Sequence, residues 1–323
     1  MTSPKRLLII DQLNLFFRSY IVNPTLSTDG QPIGGIVGVM KSLQKVCREV
    51  QPDKIIICWD GEGGSKKRKL MKKDYKAGRN PVRLNRDVRT LSESEEKSNK
   101  AWQLERVADY LNHMPVIQFM YRGIEADDII AYIVGLKEYQ GWNKVIVSSD
   151  KDFFQLLDDE TILYRPIQNK VLNKKKILEE FNIHPKNFAI ARAMVGDRSD
   201  NLPGVGKVGL QSAAKRFPFL SKDEPATVSG VLEYCKEVLS EKKLKIYENV
   251  LKNKSTFETN YQMMQLYTPS LSINAKKEIR GTLKNAEMFF NKTAIVTMMV
   301  RDGFDDLDWR ELQAFFRRIV LDN

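Results

Sequence analysis

The sequence predicts an α/β fold, in which a mostly parallel central sheet is flanked by helices and followed by a smaller helical domain. Two observations predict this fold. Short apolar runs rich in β-branched residues alternate with helical patterns in the first half of the chain, and the second half is typical of helices joined by loops. Strands that alternate with helices form a parallel sheet, and ligands bind such a sheet beyond the carboxyl ends of its strands.

Four apolar runs have the length expected of buried strands. They span residues 5–10, 54–59, 115–121 and 144–148. The helical patterns between them cover residues 36–50, 101–113 and 129–139. Residues 61–100 carry many glycines and cations with little apolar periodicity, so we expect a mobile excursion from the sheet there.

The strand patterns fade after about residue 177, where helical patterns replace them. These helices are expected at residues 177–181, 185–195, 210–217, 227–239, 241–252 and 309–321. We therefore expect an N-terminal domain at residues 1–180, which includes the basic excursion, and a C-terminal helical domain at residues 181–323.

The chain is strongly basic. Its 323 residues include 52 Lys and Arg against 41 Asp and Glu, a net charge of +11 that indicates a polyanionic partner. An anionic membrane surface is the competing interpretation, but no amphipathic helix rich in Lys and Trp favours it. No apolar stretch approaches the roughly 20 residues of a membrane span. The N-terminal apolar run is too short for a signal peptide, so we expect a cytoplasmic protein.

Few residues are available for thiol or imidazole chemistry. Cys47, Cys58 and Cys235 lie far apart without a C-x-x-C pair, which favours neither a disulfide framework nor a zinc site. His113 and His184 are the only histidines, so a Ser/His/Asp or Cys/His mechanism has little support.

Carboxylates carry the strongest chemical signal. Nine of them fall at strand ends and helix starts: Asp11, Asp60, Glu125, Asp127, Asp128, Asp150, Asp152, Asp197 and Asp200. Helix capping explains any one of them, but Asp is depleted in strands and capping does not explain why successive strands end in an acid. Carboxylates that gather at one edge repel one another unless cations bind, and all-oxygen ligands favour Mg²⁺ or Mn²⁺.

A basic stretch and a glycine turn provide sites for a nucleic acid. Eight cations lie at residues 66–79, just after Asp60, where they can attract a phosphate backbone, although such a run is often only a solvated surface. The candidate contacts here are Lys66, Lys67, Arg68, Lys69, Lys72, Lys73, Lys76 and Arg79, with Tyr75 as a stacking surface for a base. The turn with Gly204, Gly206, Lys207 and Gly209 is either a DNA-phosphate cradle or a tight link between helices.

Taken together, these motifs resemble the 5′-3′ exonuclease and flap endonuclease superfamily. The matching segments are IID at 9–11, WDG at 59–61, YKAGR at 75–79, EADD at 125–128, SDKDFFQL at 149–156 and GDRSDNLPGV at 196–205. They extend over about residues 5–215 in the family's order, and jointly they are very specific. Within the family, the lysine-rich character and the lack of a polymerase domain look most similar to the ribonuclease H type of T-even phages.

The resemblance implies a PIN-like nuclease sheet, a helical arch at about residues 62–105 and a helix-three-turn-helix element at about residues 188–217. It implies that Lys76 and Arg79 are catalytic cations. One metal ion would be bound or oriented by Asp11, Asp60, Glu125, Asp127, Asp128 and Asp150, and a second by Asp152, Asp197 and Asp200. The turn departs from the family, because Lys207-Val-Gly209 stands where family members usually carry Gly-Ile-Gly.

The implied function is a structure-selective 5′ nuclease that uses two Mg²⁺ ions, for which Mn²⁺ would substitute, and removes RNA primers and flaps in phage DNA replication. Its expected substrates are branched or nicked DNA and RNA/DNA hybrids with a 5′ end or flap, bound by a monomer. The amphipathic stretch 309–320 could dock a sliding clamp or single-strand-binding protein, although such a stripe more often packs on its own core. The alternatives are a catalytically silent DNA-binding scaffold and a PIN-type single-strand ribonuclease.

Overall fold

The computed structural model describes residues 4–88, 90–304 and 307–322. Its strands are β1 (Arg6–Asp11), β2 (Lys54–Trp59), β3 (Ile117–Met120), β4 (Asn143–Val147), β5 (Thr161–Arg165) and β6 (Lys170–Leu172). They form one sheet in the order β3-β2-β1-β4-β5-β6, parallel except for β6, which pairs antiparallel with β5. The mostly parallel sheet predicted from the sequence is confirmed.

The helices of the first half are α1 (Gln12–Val22), α2 (Gly34–Val50), α3 (Lys66–Met71), α4 (Glu93–Asn112) and α5 (Ala126–Val134). Those of the second half are α6 (Lys174–Phe181), α7 (Phe188–Val195), α8 (Leu210–Arg216), α9 (Val228–Glu241), α10 (Lys245–Lys252), α11 (Lys254–Met264), α12 (Ile273–Asn285), α13 (Lys292–Asp302) and α14 (Trp309–Asp322). None of the helices within the described ranges is long and apolar enough to cross a membrane.

The central strands are buried on both faces. Leu7 and Ile9 of β1 belong to one apolar cluster, whereas Leu8 and Ile10 belong to another, as the alternation of side chains across a strand requires. The first cluster contains α5 and most of the C-terminal helices, and the second contains α1, α2 and α4. This two-sided burial explains why the strands are continuous apolar runs.

Two strands and five helices were not predicted from the apolar patterns. The hairpin of β5 and β6 closes one edge of the sheet, and α1, α3, α11, α12 and α13 add to the predicted helices. The predicted helix at 129–139 is α5 followed by a 3₁₀ turn at Lys137–Tyr139, and the predicted helix at 241–252 begins only at Lys245.

The segment between β2 and β3 contains the predicted arch. Its expected irregular character is wrong for α3 and for the first two turns of α4, which begins at a capping box in which Ser92 and Glu95 bond each other's backbone N–H. The chain between α3 and α4 is fixed at Leu84, which is buried and whose N–H donates to the Glu96 carboxylate at 2.6 Å. Leu84 thus anchors this part of the segment in the apolar cluster of α2 and α4, and α3 and a 3₁₀ turn at Arg86–Val88 precede α4.

The C-terminal helices divide between the two faces of the sheet. The predicted pair around the glycine turn is present as α7 and α8, which flank residues 196–209. In contrast, α13 and α14 bury Ile295, Met299 and Phe316 in the cluster of α2 and α4. The stripe at 309–320 therefore packs on the protein's own core, and Phe316 is fully buried rather than offered to a partner.

Candidate active site

The predicted acids meet at the carboxyl edge of the sheet because the strands that carry them run parallel. Asp11 ends β1, Asp60 follows β2, and Asp150 follows β4. They line a cleft of about 160 Å³. The acids of this cleft are Asp11, Asp60, Asp127, Asp150, Asp152 and Asp200.

Burial and mutual repulsion dominate the electrostatics of the cleft. Burial, with repulsion from Asp60 and Asp150, raises the pKa of Asp11 from 3.8 to about 7, although Ser148 donates a hydrogen bond to it at 2.8 Å. The pKa of Asp127 is raised well above its usual value by burial and by three neighbouring carboxylates. Burial and Asp150 also raise the pKa of Asp152 to about 7. An uncompensated cluster of this kind favours bound protons or cations.

Three of the nine predicted metal ligands do not line the cleft, because other groups engage them. Arg68 pairs with both Glu125 and Asp128, and Asp128 also accepts from the Ser270 N–H at 2.7 Å. Asp197 pairs with Arg192 at 2.5 Å. Burial alone would raise the pKa of Asp197, but hydrogen bonds from Ser199 and Arg192 outweigh it and lower that pKa.

Among residues 4–88, 90–304 and 307–322, no three acidic, histidine or cysteine side chains are grouped closely enough to hold a metal ion. The donor chemistry nevertheless fits a hard divalent cation, since six carboxylates line one cleft and three of them have raised pKa values. Ligation by each predicted residue stays a prediction.

The predicted catalytic cations lie in the same cleft. Lys76 Nζ is 2.5 Å from Glu125 Oε1, and the Arg79 guanidinium pairs with Asp200. Tyr75 comes directly before Lys76 and is buried against Leu202 and two methionines, with the Lys76 ammonium 5.0 Å from its ring centroid. Tyr75 is only 5% exposed, so no base can stack on its ring in this conformation, and its role as a stacking surface stays a prediction.

The remaining predicted nucleic-acid contacts differ in accessibility. Arg68 is buried, and besides its two carboxylates it donates to the Met263 carbonyl at 3.0 Å, so its guanidinium is engaged within the protein in this conformation. The lysines of the basic stretch are exposed or half-buried, and Lys67 donates to the Ser270 carbonyl at 2.7 Å. In the glycine turn, Gly206, Lys207 and Gly209 are exposed and Gly204 is half-buried. Their contact with DNA stays a prediction.

Sequence reasoning missed three polar residues that organise the site. Arg192 of α7 bridges Asp152 and Asp197, at 3.1 and 2.5 Å. Asn14 in the first turn of α1 accepts from both the N–H and the hydroxyl of Ser149, which joins the ends of β1 and β4. Asn201 donates to two carbonyls of the basic stretch. The spacing of Arg192, five residues before Asp197 at the end of a helix, was the available signal.

Comparison with known proteins agrees with this arrangement. The family model described as the 5′-3′ exonuclease N-terminal resolvase-like domain matches residues 6–182, more than half of the chain. The chain belongs to the 5′-3′ exonuclease family. A 5′-3′ exonuclease of Buchnera aphidicola is 33% identical over 217 residues, which cover 66% of this chain and 69% of that protein. One of Aquifex aeolicus is 27% identical over 291 residues, 85% of this chain and 86% of that protein.

Solved structures share the fold of this 5′-3′ exonuclease family member. A flap endonuclease of bacteriophage T5, solved as a pseudo-enzyme–product complex with DNA and metal ions, superposes with a TM-score of 0.68. The two proteins are 19% identical, and the match covers 87% of this chain and 98% of the other. The likeness supports the α/β fold predicted from the sequence, with the helical additions around its sheet.

Proposed function

We propose that this member of the 5′-3′ exonuclease family is a divalent-metal-dependent 5′ nuclease that acts as an exonuclease and flap endonuclease. The observation that supports it is the cleft itself, in which six carboxylates face Lys76 and Arg79. Such a set of acids suits two Mg²⁺ ions, for which Mn²⁺ would substitute. The acids that line the cleft would hold these ions: Asp11, Asp60, Asp127, Asp150, Asp152 and Asp200. Bound metal ions supply Lewis-acid activation of water and stabilise the leaving oxygen of a phosphodiester.

The chain's own residues bind and orient the strand that is cut. Lys76 and Arg79 neutralise the non-bridging oxygens of the scissile phosphate, which carry more charge in the transition state than in the substrate. Lys76 pairs with Glu125 and Arg79 pairs with Asp200, so binding of a strand would exchange these two carboxylates for a phosphate. The buried Tyr75 ring keeps the two cations facing the cleft.

The substrate we propose is DNA, or an RNA/DNA hybrid, with a nick, branch or 5′ flap. Gly206 and Lys207 would hold a backbone phosphate of the duplex beside the cleft without reading sequence, since both are exposed in a turn that starts at the Asp197–Asp200 acids. Removal of RNA primers during phage DNA replication in the host cytoplasm, by a monomer, is the process that this activity suits. A sliding clamp or single-strand-binding protein would dock on a surface other than the buried face of α14.

A cleavage assay tests the proposal. Three 5′-labelled substrates (a flap, a nicked duplex with an RNA primer, and a single strand) are incubated with Mg²⁺, Mn²⁺ or EDTA. We expect metal-dependent cutting near the junction, reduced at least about a hundredfold in Asp150→Ala because the variant removes a cleft oxygen donor. The matched control is Asp29→Ala, which removes an exposed acid outside the cleft and should keep parental activity.

The same assay separates the alternatives. Tight binding of the flap without any product in Mg²⁺ or Mn²⁺ would identify a silent DNA-binding scaffold. Cleavage of single-stranded RNA with no preference for a junction would identify a PIN-type ribonuclease. Equal activity in EDTA and Mg²⁺ would contradict metal dependence.

A further inference from the structure

Two turns from distant parts of the chain meet above the cleft. We call residues 74–79 the basic turn and residues 197–201 the acidic turn. The Lys76 N–H donates to the Asp200 carbonyl at 3.1 Å, and Arg79 Nε donates to the Ser199 carbonyl at 3.1 Å. The basic turn is therefore tied to the acidic turn by its backbone as well as by the ion pair of Arg79 with Asp200.

Asn201 makes the most specific of these contacts. Its side-chain Nδ2 donates to the carbonyl of Asp74 at 3.0 Å and to the carbonyl of Ala77 at 2.6 Å. These two carbonyls lie on either side of Lys76 in the chain. One amide group thus closes the basic turn across the residue whose ammonium enters the cleft.

The basic turn needs such external support. Lys76 has φ 57°, in the left-handed region that side chains other than glycine rarely adopt, and Gly78 follows at φ 69°. The Ala77 N–H donates to the Asp74 carbonyl within the turn, and the Tyr75 N–H donates to the Lys72 carbonyl just before it. Other contacts of Lys76 and Arg79 come from the acidic turn, from Glu125, which pairs with the Lys76 ammonium, and from the apolar packing of the neighbouring Tyr75 on Leu202 and two methionines.

We propose that Asn201 is a positioning residue for catalysis, which holds Lys76 and Arg79 over the carboxylates by closing the basic turn. The inference rests on the proposed nuclease function and adds a residue that acts through the cations rather than on the substrate. The residues that follow Asn201 form the exposed glycine turn. The acidic turn thus contacts the two cations, and the glycine turn that follows it in the chain carries the proposed duplex contact.

A purely local role for Asn201 is the competing explanation. Asn201 itself has φ 57°, and asparagine is one of the residues that tolerate the left-handed region. Asn201→Gly separates the two explanations, since glycine adopts this φ without strain and removes only the amide donor. Asn182→Gly is the matched control, because Asn182 has φ 51° at the end of α6 and is exposed.

The first readout needs no catalysis. Limited trypsin digestion of the folded, DNA-free protein is followed by mass spectrometry for cuts after Lys76 and Arg79. Loss of the two hydrogen bonds should raise the rate of these cuts roughly tenfold in Asn201→Gly and leave it unchanged in Asn182→Gly. Equal cutting of the basic turn in Asn201→Gly and the parent would overturn the proposal.

The second readout is a kinetic cycle with Lys76→Ala on the flap substrate. Asn201→Gly should lower kcat about tenfold with KM changed less than about twofold, because misplaced cations weaken the transition state more than binding. In the Lys76→Ala background the effect of Asn201→Gly should largely disappear. Fully additive effects would overturn the proposal. If the parent cuts nothing, the proposed function has failed, and the trypsin result still decides whether Asn201 holds the turn.

Discussion

Asp11→Asn tests the electrostatics of the cleft without any substrate. Asp11 is 7% exposed, and burial together with Asp60 and Asp150 raises its pKa from 3.8 to about 7. A raised carboxyl pKa means that the folded protein binds a proton that the unfolded chain has released. The metal-free protein should therefore lose stability as the pH rises from about 4 to about 7.

The size of the effect follows from the pKa values. Each pKa unit corresponds to about 1.4 kcal/mol, so a rise from 3.8 to about 7 destabilises the folded parent by about 4 kcal/mol once both states are ionised. At about pH 5 the Asp11 carboxyl is mostly protonated in the folded protein and mostly ionised in the unfolded chain. At that pH the raised pKa lowers the free energy of unfolding by about 2 kcal/mol. Asparagine removes the charge, and its own burial cost cancels when the two pH values are compared.

The assay is urea unfolding of parent and variant in EDTA at about pH 5 and about pH 8. We expect Asp11→Asn to raise the free energy of unfolding, relative to the parent, by about 2 kcal/mol more at the higher pH than at the lower. Asp29→Asn, at an exposed position, controls for a general effect of net charge. A stability difference that is the same at both pH values, or larger at the lower pH, would refute the raised pKa.

Three further substitutions test other contacts. Arg192→Met leaves the carboxylate of Asp152 without its cation. We expect the free energy of unfolding at neutral pH, measured by urea titration, to fall by roughly 3 kcal/mol. An unchanged free energy of unfolding would show that the ion pair of Arg192 with Asp152 is weak. Gly61→Ala places a Cβ 1.7 Å from the Tyr121 carbonyl oxygen, so the backbone has to move, and thermal unfolding should report a loss of at least about 2 kcal/mol. Lys207→Ala should weaken duplex binding and lower the slope of log Kd against log salt by about 1, and an unchanged slope would contradict a phosphate contact.

The sheet was predictable because its central strands are buried on both faces. Burial on two sides requires continuous apolar runs, and residues 54–59 show one that ends at Asp60. The strand β5 escaped prediction because TILYR is short, half-polar and preceded by three acids. The start of α4 escaped because its first two turns carry mostly charged and polar side chains, although Ser92 and Glu95 form the capping pattern at its start.

The carboxylate cluster was predictable because it depends only on where the acids lie in the chain relative to the strands. Acids that end parallel strands meet at one edge, which brought Asp11 and Asp150 together as expected. Sequence could not separate cleft-lining acids from those that are neutralised, because Asp128 owes its burial to Arg68, 60 residues away in the chain. Asn201 was missed for the same reason, since its partners lie more than 120 residues earlier.

The packing of α14 on the first half of the chain has a consequence for synthesis. Arg318 donates to the carbonyls of Gln51 and Pro52 at the entrance to β2, across 266 residues, and Phe316 fills the cluster beside α2. A ribosome needs on the order of tens of seconds to cover that distance. During that interval the nascent chain exposes the apolar face that α13 and α14 later cover. This half of the core can therefore close only after α14 has been made, long after every strand of the sheet has left the ribosome.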